Sequence, residues 1–258
     1  MLSGFTPPFT PRGLASLVPP PPWHYAGWLL SIELECDRDR AARFVPAQVG
    51  AATGRGTVHF ADWQATTDGS ELLDPVLAQY RETIVVLEVE RPGGAAANFC
   101  PLIYVDQDVS MLRGLLQGWP KKMGSTWLTR SLPLDHPAAA PLRQGTRLGA
   151  TLSVNGRRLV EARLELTGRP GEPLGFAARP TWGTIGFADL TRPERPPELR
   201  HVRSLVSGKI ASGWHEATAE LAFLDVPREE LVDLGLRRTT RASAGWLGIT
   251  IAGAAAED

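Results

Sequence analysis

The sequence predicts a single α+β domain built around a curved or closed β-sheet, and three observations carry that expectation. Strand-like segments recur from Trp23 to Phe223 and outnumber the short helical stretches between them. Glycine and proline, 26 and 22 of the 258 residues, punctuate these segments with turns. No internal repeat and no shift in composition demands a second domain. A chain of this length buries about three quarters of its unfolded surface, so its core needs no disulfide or metal staple.

Residues 1–22 are proline-rich and end in the run Pro19 to Pro22, which predicts an extended arm. The domain proper is expected over 23–252, with 253–258 as a C-terminal tail. Residues 23–36 alternate as a strand. Residues 37–45 suit a short helix stopped by Pro46, and 57–65 a second strand. Residues 80–90 (YRETIVVLEVE) form the strongest strand in the chain, closed by Arg91-Pro92-Gly93-Gly94. Residues 99–105 give another. A helix is expected over 108–118, capped by Asp108, with Val109, Leu112, Leu115 and Leu116 on its apolar face. It must end before Pro120, because the residue preceding a proline is pushed out of helical geometry. Asn155-Gly156 is the best hairpin signal, with strands at 147–154 and 158–166. Residues 168–200 form a Gly/Pro-rich connection, 209–223 alternate again, and 227–234 contain a helical turn.

Composition narrows the function. Basic and acidic residues number 27 and 28, for a net charge of −1, which argues against nucleic-acid binding and against a polybasic membrane contact. Cys36 and Cys100 make neither a CxxC nor a disulfide framework. The N-terminal residues lack the basic flank and apolar core of a signal peptide, and no apolar run approaches the ~18 residues of a spanning helix. The expectation is a cytoplasmic globule. There is no G-x-G-x-x-G after a strand, no P-loop and no G-x-S-x-G elbow. The five histidines are scattered without ligand spacing, so neither a metal nor an organic cofactor is expected.

Lysine usage is the informative anomaly. Only Lys121, Lys122 and Lys209 are lysines, leaving 24 arginines. Arginine stays charged, whereas a lysine becomes a neutral nucleophile when its site disfavours charge. Two devices achieve this against an ordinary lysine pKa of ~10.4: desolvation in an apolar pocket and an adjacent like charge. In Gly118-Trp119-Pro120-Lys121-Lys122-Met123-Gly124 the neighbour Lys122 supplies the second, and Trp119, Pro120 and Met123 supply apolar walls. The competing reading is a solvated pair of surface charges, and on a strand the two side chains would point to opposite faces.

Glu82 sits within the strongest strand, where alternation places Tyr80, Glu82, Ile84 and Val86 on one face. Both faces are largely apolar, so a carboxylate there requires a partner. A lysine-derived iminium would serve, as would an ordinary ion pair with an arginine.

Tyr80-Arg81-Glu82, the run from Phe99 to Asp106 (FCPLIYVD), and Gly118-Trp119-Pro120-Lys121-Lys122 together resemble the acetoacetate decarboxylase-like superfamily. Weaker similarity includes Arg43-Phe44-Val45-Pro46, the Asn155-Gly156 hairpin and residues 214–234. The resemblance implies a cone-like closed β-sheet, antiparallel or mixed and flanked by short helices, and homo-oligomers of tetramer size or larger. By position, Lys121 resembles the Schiff-base lysine, Lys122 its electrostatic neighbour and Glu82 the active-site carboxylate.

The chain departs from the decarboxylase pattern in places. Arg113-Gly114-Leu115 stands where decarboxylases carry Gly-Arg-Glu, so the acidic position becomes Leu115. A second family carboxylate falls near Ala61-Asp62, leaving Asp62 as the nearest replacement. The family's N-terminal arginine falls near residues 24–27, where His24 is the candidate to assist. Gln117, four residues before Lys121, resembles the divergent branch that performs pyruvate aldol condensation and dehydration, or keto-acid cyclisation, instead of decarboxylation. The expected activity is therefore a lyase acting on a small keto acid such as pyruvate and on an aldehyde. Lys121 would form the iminium and Glu82 would shuttle protons; Gln117 would hydrogen-bond substrate, and Tyr80 and Trp119 would shape the pocket. A β-keto acid decarboxylase and a carbonyl-binding module without turnover are the alternatives.

Overall fold

Burial along the strands follows their period of two, and one sheet thereby serves two cores. In the computed structural model, which describes residues 1–256, strand β1 (Trp23–Cys36) sends Trp28, Leu30, Ile32 and Leu34 to one side and Tyr25 and Leu29 to the other. The first set joins the larger core, and the second an inner core that holds the site.

A short helix α1 (Arg38–Ala42) follows β1, capped by Asp37, whose carboxylate accepts from the backbone N–H groups of Asp39 and Arg40. Then come β2 (Ala51–Thr66), the four-residue helix α2 (Pro75–Ala78), β3 (Gln79–Glu90) and β4 (Ala96–Val105). Helix α3 (Asp108–Leu116) leads to the three-residue β5 (Lys121–Met123) and β6 (Ser125–Leu128). The hairpin of β7 (Arg147–Val154) and β8 (Arg157–Pro170) turns at Asn155 and Gly156, with φ of 50° and 75°. The chain closes with β9 (Thr181–Ile185), β10 (Arg200–Phe223) and β11 (Leu236–Ala256).

The strands form one mixed sheet in the order β11-β1-β2-β3-β4-β9-β10-β8-β7-β6. A further pairing of β10 with β11 closes the segment from β11 through β10 into a ring. The same β10 stays paired with β11 as far as Ala217 and pairs with β8 from His215 onward, which adds β8, β7 and β6 to the sheet. Most neighbours are antiparallel; β4 runs parallel to both β5 and β9. The fold is the expected single α+β unit with a closed sheet and few, short helices.

Three local expectations change. Strand β11 escaped the sequence reading, because its Gly/Ala-rich stretch has weak strand character; residues 253–256, expected as a tail, pair with Val202–Leu205 of β10. Residues 257–258 lie outside the described part. The 168–200 connection contains β9, which pairs with β4 and β10 and completes the ring. At α3 the N-cap position is Gln107, and Asp108 instead accepts from the neighbouring Val109 N–H at 2.7 Å.

The face that α3 buries also differs. Its buried residues are Val109, Ser110, Arg113 and Gly114, with Leu112, Leu115 and Leu116 only half-buried. With Gln117 at its C-cap, the stripe Ser110-Arg113-Gly114-Gln117 repeats at helical spacing. On this stripe Ser110 meets the Lys121 amine and Arg113 meets Glu71 and Thr67. In the N-terminal arm, Val18 is fully buried in the inner core and Trp23 Nε1 donates to the Pro19 carbonyl.

Candidate active site

Lys121 begins β5, whose parallel pairing with β4 sets it beside Ile103. The backbone reaches it through Gly118, at φ +85°, whose carbonyl accepts from Thr184 N–H of β9 at 2.7 Å. A residue with a Cβ would be strained there. Trp119 Nε1 donates to Ser204 Oγ of β10 at 2.8 Å, fixing the indole beside the lysine.

Gly114 of α3 gives the lysine stem its space. A Cβ at this position would lie 2.5 Å from Lys121 Cγ and Cδ and 2.7 Å from Cε. The helix thus touches the aliphatic stem while Ser110, one turn earlier, receives the amine: Lys121 Nζ donates to Ser110 Oγ at 2.9 Å. On the other side Nζ donates to Glu82 Oε2 at 2.7 Å. Trp63 Nε1 donates to Glu82 Oε1 at 2.7 Å, so both carboxylate oxygens are engaged. The buried glutamate of β3 has the lysine as its partner, not an arginine.

A small cavity of about 30 Å³ adjoins Lys121. Tyr80, Glu82, Gln117, Trp119 and Lys121, all singled out from the sequence, line it together. Tyr25, Trp63, Ile84, Phe176, Ile249 and Ile251 complete the wall. The Lys121 amine lies 5.3 Å from the Tyr80 ring centroid, within cation–π range. Burial pushes the Tyr80 hydroxyl well above the ordinary tyrosine value, and the Glu82 charge adds to the shift. The Tyr25 hydroxyl is also raised by burial, against the pull of the Arg113 guanidinium. Both stay phenols at neutral pH and can donate hydrogen bonds.

Arg113, which the sequence reading passed over, is 1% exposed. Its Nη2 lies 3.6 Å from Glu71 Oε1 and 3.4 Å from Thr67 Oγ1, and its guanidinium carbon 5.7 Å from the Trp23 ring. Nε and Nη1 have no hydrogen-bond partner among the described residues, nor does Gln117 Oε1. Such buried, unpaired polar atoms are uncommon in folded proteins, and each calls for an explanation such as a bound water or ion or a catalytic role. The signal available in the sequence was the polar stripe at 110, 113 and 117, eleven, eight and four residues before the lysine.

Three other candidates lie elsewhere. Lys122 points to the opposite face of β5, where Nζ bonds Glu229 Oε1 at 2.7 Å and the side chain is 44% exposed. Tyr104 donates to the other oxygen of Glu229, also at 2.7 Å. Lys122 is thus tied to an anion outside the cavity, because alternate strand residues face opposite ways. Asp62 pairs with Arg130 on the face of β2 away from Glu82, and His24 is exposed, with Nδ1 2.8 Å from Thr250 Oγ1. In both cases the next residue, Trp63 or Tyr25, faces the cavity instead.

A family model described as acetoacetate decarboxylase matches residues 5–257. The chain belongs to the acetoacetate decarboxylase family. Comparison with curated proteins gives no match. Among solved structures, the enduracididine biosynthesis enzyme MppR, complexed with the condensation product of pyruvate and imidazole 4-carboxaldehyde, is 30% identical at a TM-score of 0.92; the alignment covers 99% of this chain and 97% of that one. An acetoacetate decarboxylase-like enzyme from Sphingomonas wittichii RW1 is 25% identical with a TM-score of 0.87, covering 99% and 100%. Acetoacetate decarboxylase from Legionella pneumophila subsp. pneumophila str. Philadelphia 1, at 15% identity and a TM-score of 0.78 over 100% and 96%, shares the fold. Membership places this chain among acetoacetate decarboxylase-like enzymes, which are lyases.

No helix among the described residues is long and apolar enough to cross a membrane. No cluster of three or more His, Cys, Asp or Glu there is arranged to hold a metal ion.

Proposed function

We propose that this lyase forms a Schiff base between Lys121 and the keto carbon of pyruvate, condenses the resulting enamine with an aldehyde and eliminates water. The observation that carries the reading is the buried Lys121–Glu82 contact beside a small, mostly apolar cavity that Gln117 also lines; Gln117 Oε1 and, on the same helix face, Arg113 Nε and Nη1 are buried without partners. MppR, found with pyruvate and with a pyruvate–aldehyde condensation product, supports it by similarity.

The chemistry follows from these groups. Lys121 Nζ passes a proton to Glu82 and attacks the keto carbon; Glu82 returns the proton to the carbinolamine hydroxyl, which leaves as water and gives an iminium. The cationic nitrogen withdraws electrons, so a methyl proton leaves to Glu82 and an enamine forms. Its terminal carbon bonds to the aldehyde carbon, whose oxygen takes up a proton. Loss of that hydroxyl as water leaves a conjugated iminium. Hydrolysis releases the unsaturated keto acid and restores the amine. Arg113 supplies a fixed positive charge for the substrate carboxylate, and Gln117 a hydrogen-bonding group for the carboxylate or the aldol hydroxyl. Ser110 and Trp63 position the lysine and the glutamate.

The same iminium would serve decarboxylation of a β-keto acid, a reading favoured by the family match over residues 5–257. Borohydride trapping with pyruvate and, separately, acetoacetate, followed by peptide mapping, tests the shared step. An adduct on the Lys121 peptide is expected, and its absence with both acids would overturn the proposal. Ultraviolet absorbance of a conjugated product from pyruvate plus aldehyde then supports condensation, whereas carbon dioxide from acetoacetate supports decarboxylation.

A further inference from the structure

The chamber at Lys121, about 30 Å³, holds little more than a water or two, too little for a condensation product. Beyond its wall lies a second cavity of about 250 Å³. Trp119, Phe176, Ile249 and Ile251 line both, so the two cavities are neighbours that share four apolar side chains. Phe176 is the member best placed to move. It sits in a three-residue turn and is half-buried; its aromatic contacts are edge-to-face, with Trp119 at 5.6 Å and His59 at 4.6 Å. The turn itself is held downstream by Arg179, which pairs with buried Glu88 of β3.

The second cavity is electrostatically one-sided. Its lining includes Arg179, Arg203 and Lys209 and no carboxylate. Arg179 shares the single carboxylate of Glu88 with Arg55. Arg203 stacks 5.8 Å from the Trp182 ring centroid, and neither it nor Lys209 has a carboxylate partner among the described residues. Unneutralised cations beside low-dielectric walls raise the local concentration of anions. The apolar wall suits a flat hydrophobic body and the cations suit a negative end.

We infer that the second cavity is the acceptor subsite, and that its aldehyde carries an anionic group. The anion rests between Arg203 and Lys209, the body lies along Trp119 and the isoleucines, and the carbonyl passes Phe176 to meet the enamine on Lys121. The acceptor assignment rests on the lyase reading above; the anion preference stands apart from it.

Calorimetric titration of the full chain with benzoate and with benzamide tests the preference without any reaction. Benzoate is expected to bind at least ~10-fold more tightly, because only it carries the charge that Arg203 and Lys209 can hold. Lys209→Glu combined with Arg203→Gln should bring the two ligands within about 2-fold, and Lys209→Glu alone should remove most of the difference. In Lys121→Ala the preference should persist, since the anion sits outside the lysine chamber. Equal affinities in the unmodified chain, undetectable benzoate binding, a preference that survives the charge changes, or its loss in Lys121→Ala would each overturn the inference. Pyruvate trapping at Lys121 reads the lyase proposal separately, so either conclusion can fail while the other stands. Where condensation is observed, 4-carboxybenzaldehyde should exceed benzaldehyde at least ~10-fold in kcat/KM.

Discussion

Lys121 and Glu82 meet at 2.7 Å with side chains only 4% and 5% exposed, 39 residues apart in the chain and on strands that both flank β4. A buried pair of this kind is seldom a net gain over apolar packing, because both ions lose their hydration. Its retention in the chamber fits a chemical use. Removing one partner strands the other, so Glu82→Gln should lower the unfolding free energy by ~3 kcal/mol. It should also reduce turnover at least ~100-fold, the size of a lost acid–base group. Denaturant unfolding and initial rates check the two effects separately.

Gly114→Ala is expected to disable the lysine without unfolding the chain. The added methyl would lie 2.5 Å from Lys121 Cγ and Cδ, forcing the stem off its path between Ser110 and Glu82. Overpacking of this sort costs ~1–3 kcal/mol. Borohydride trapping of pyruvate should fall by at least ~10-fold while the circular dichroism spectrum is retained; full trapping would show that the stem relaxes freely.

Lys122→Gln should leave pyruvate trapping within about 2-fold of the unmodified chain. Lys122 is bound to Glu229 on the far face of β5, and that contact screens its charge from the cavity. The substitution instead unpairs Glu229, whose side chain is 3% exposed, so the measurable change should be a loss of stability. A large drop in trapping would restore Lys122 to the role its sequence position suggests.

Arg113→Gln should separate keto acids from plain ketones. With the buried guanidinium gone, the pyruvate concentration giving half-maximal trapping is expected to rise at least ~10-fold, equivalent to losing one charged hydrogen bond. That for acetone, which has no carboxylate, should change much less. Equal effects on both would make Arg113 a structural residue acting through Glu71 and Thr67.

His59 should make the fold acid-sensitive. It is fully buried behind Phe176 with Nδ1 2.8 Å from Ser31 Oγ, and burial holds its pKa down from 6.5 to about 3. Between these values the unfolded chain binds a proton that the folded chain refuses, so stability falls as pH drops below 6.5. The slope attributable to this residue is about 1.4 kcal/mol per pH unit, or roughly 2 kcal/mol between pH 7 and 5. Unfolding titrations of the unmodified chain and His59→Asn should diverge in that window and run parallel above pH 7. Parallel curves throughout would show that another group sets the acid response.

Much of this molecule follows from local pattern. The alternation in residues 80–90 is sufficient to set Tyr80, Glu82 and Ile84 on one face, and Asn155-Gly156 to place a hairpin, because strand period and turn conformation are properties of short segments. The isolated lysine pair and its spacing from Glu82 carry the family resemblance. His24 and Asp62 show the limit: each lies one residue from the side chain that enters the cavity, and a single step reverses the face.

The sequence by itself determined the strand-rich class and the family resemblance, and singled out Lys121 and Glu82 as candidates, all of which reside in short motifs and their separation. Only the tertiary structure decided which lysine is enclosed, that α3 turns Ser110, Arg113 and Gly114 toward it, and that Phe176, Ile249 and Ile251 wall it off. Those relations depend on ring closure between β10 and β11 and on the roll of a helix against the sheet, which bring together residues far apart in the chain. No period within one segment encodes that choice.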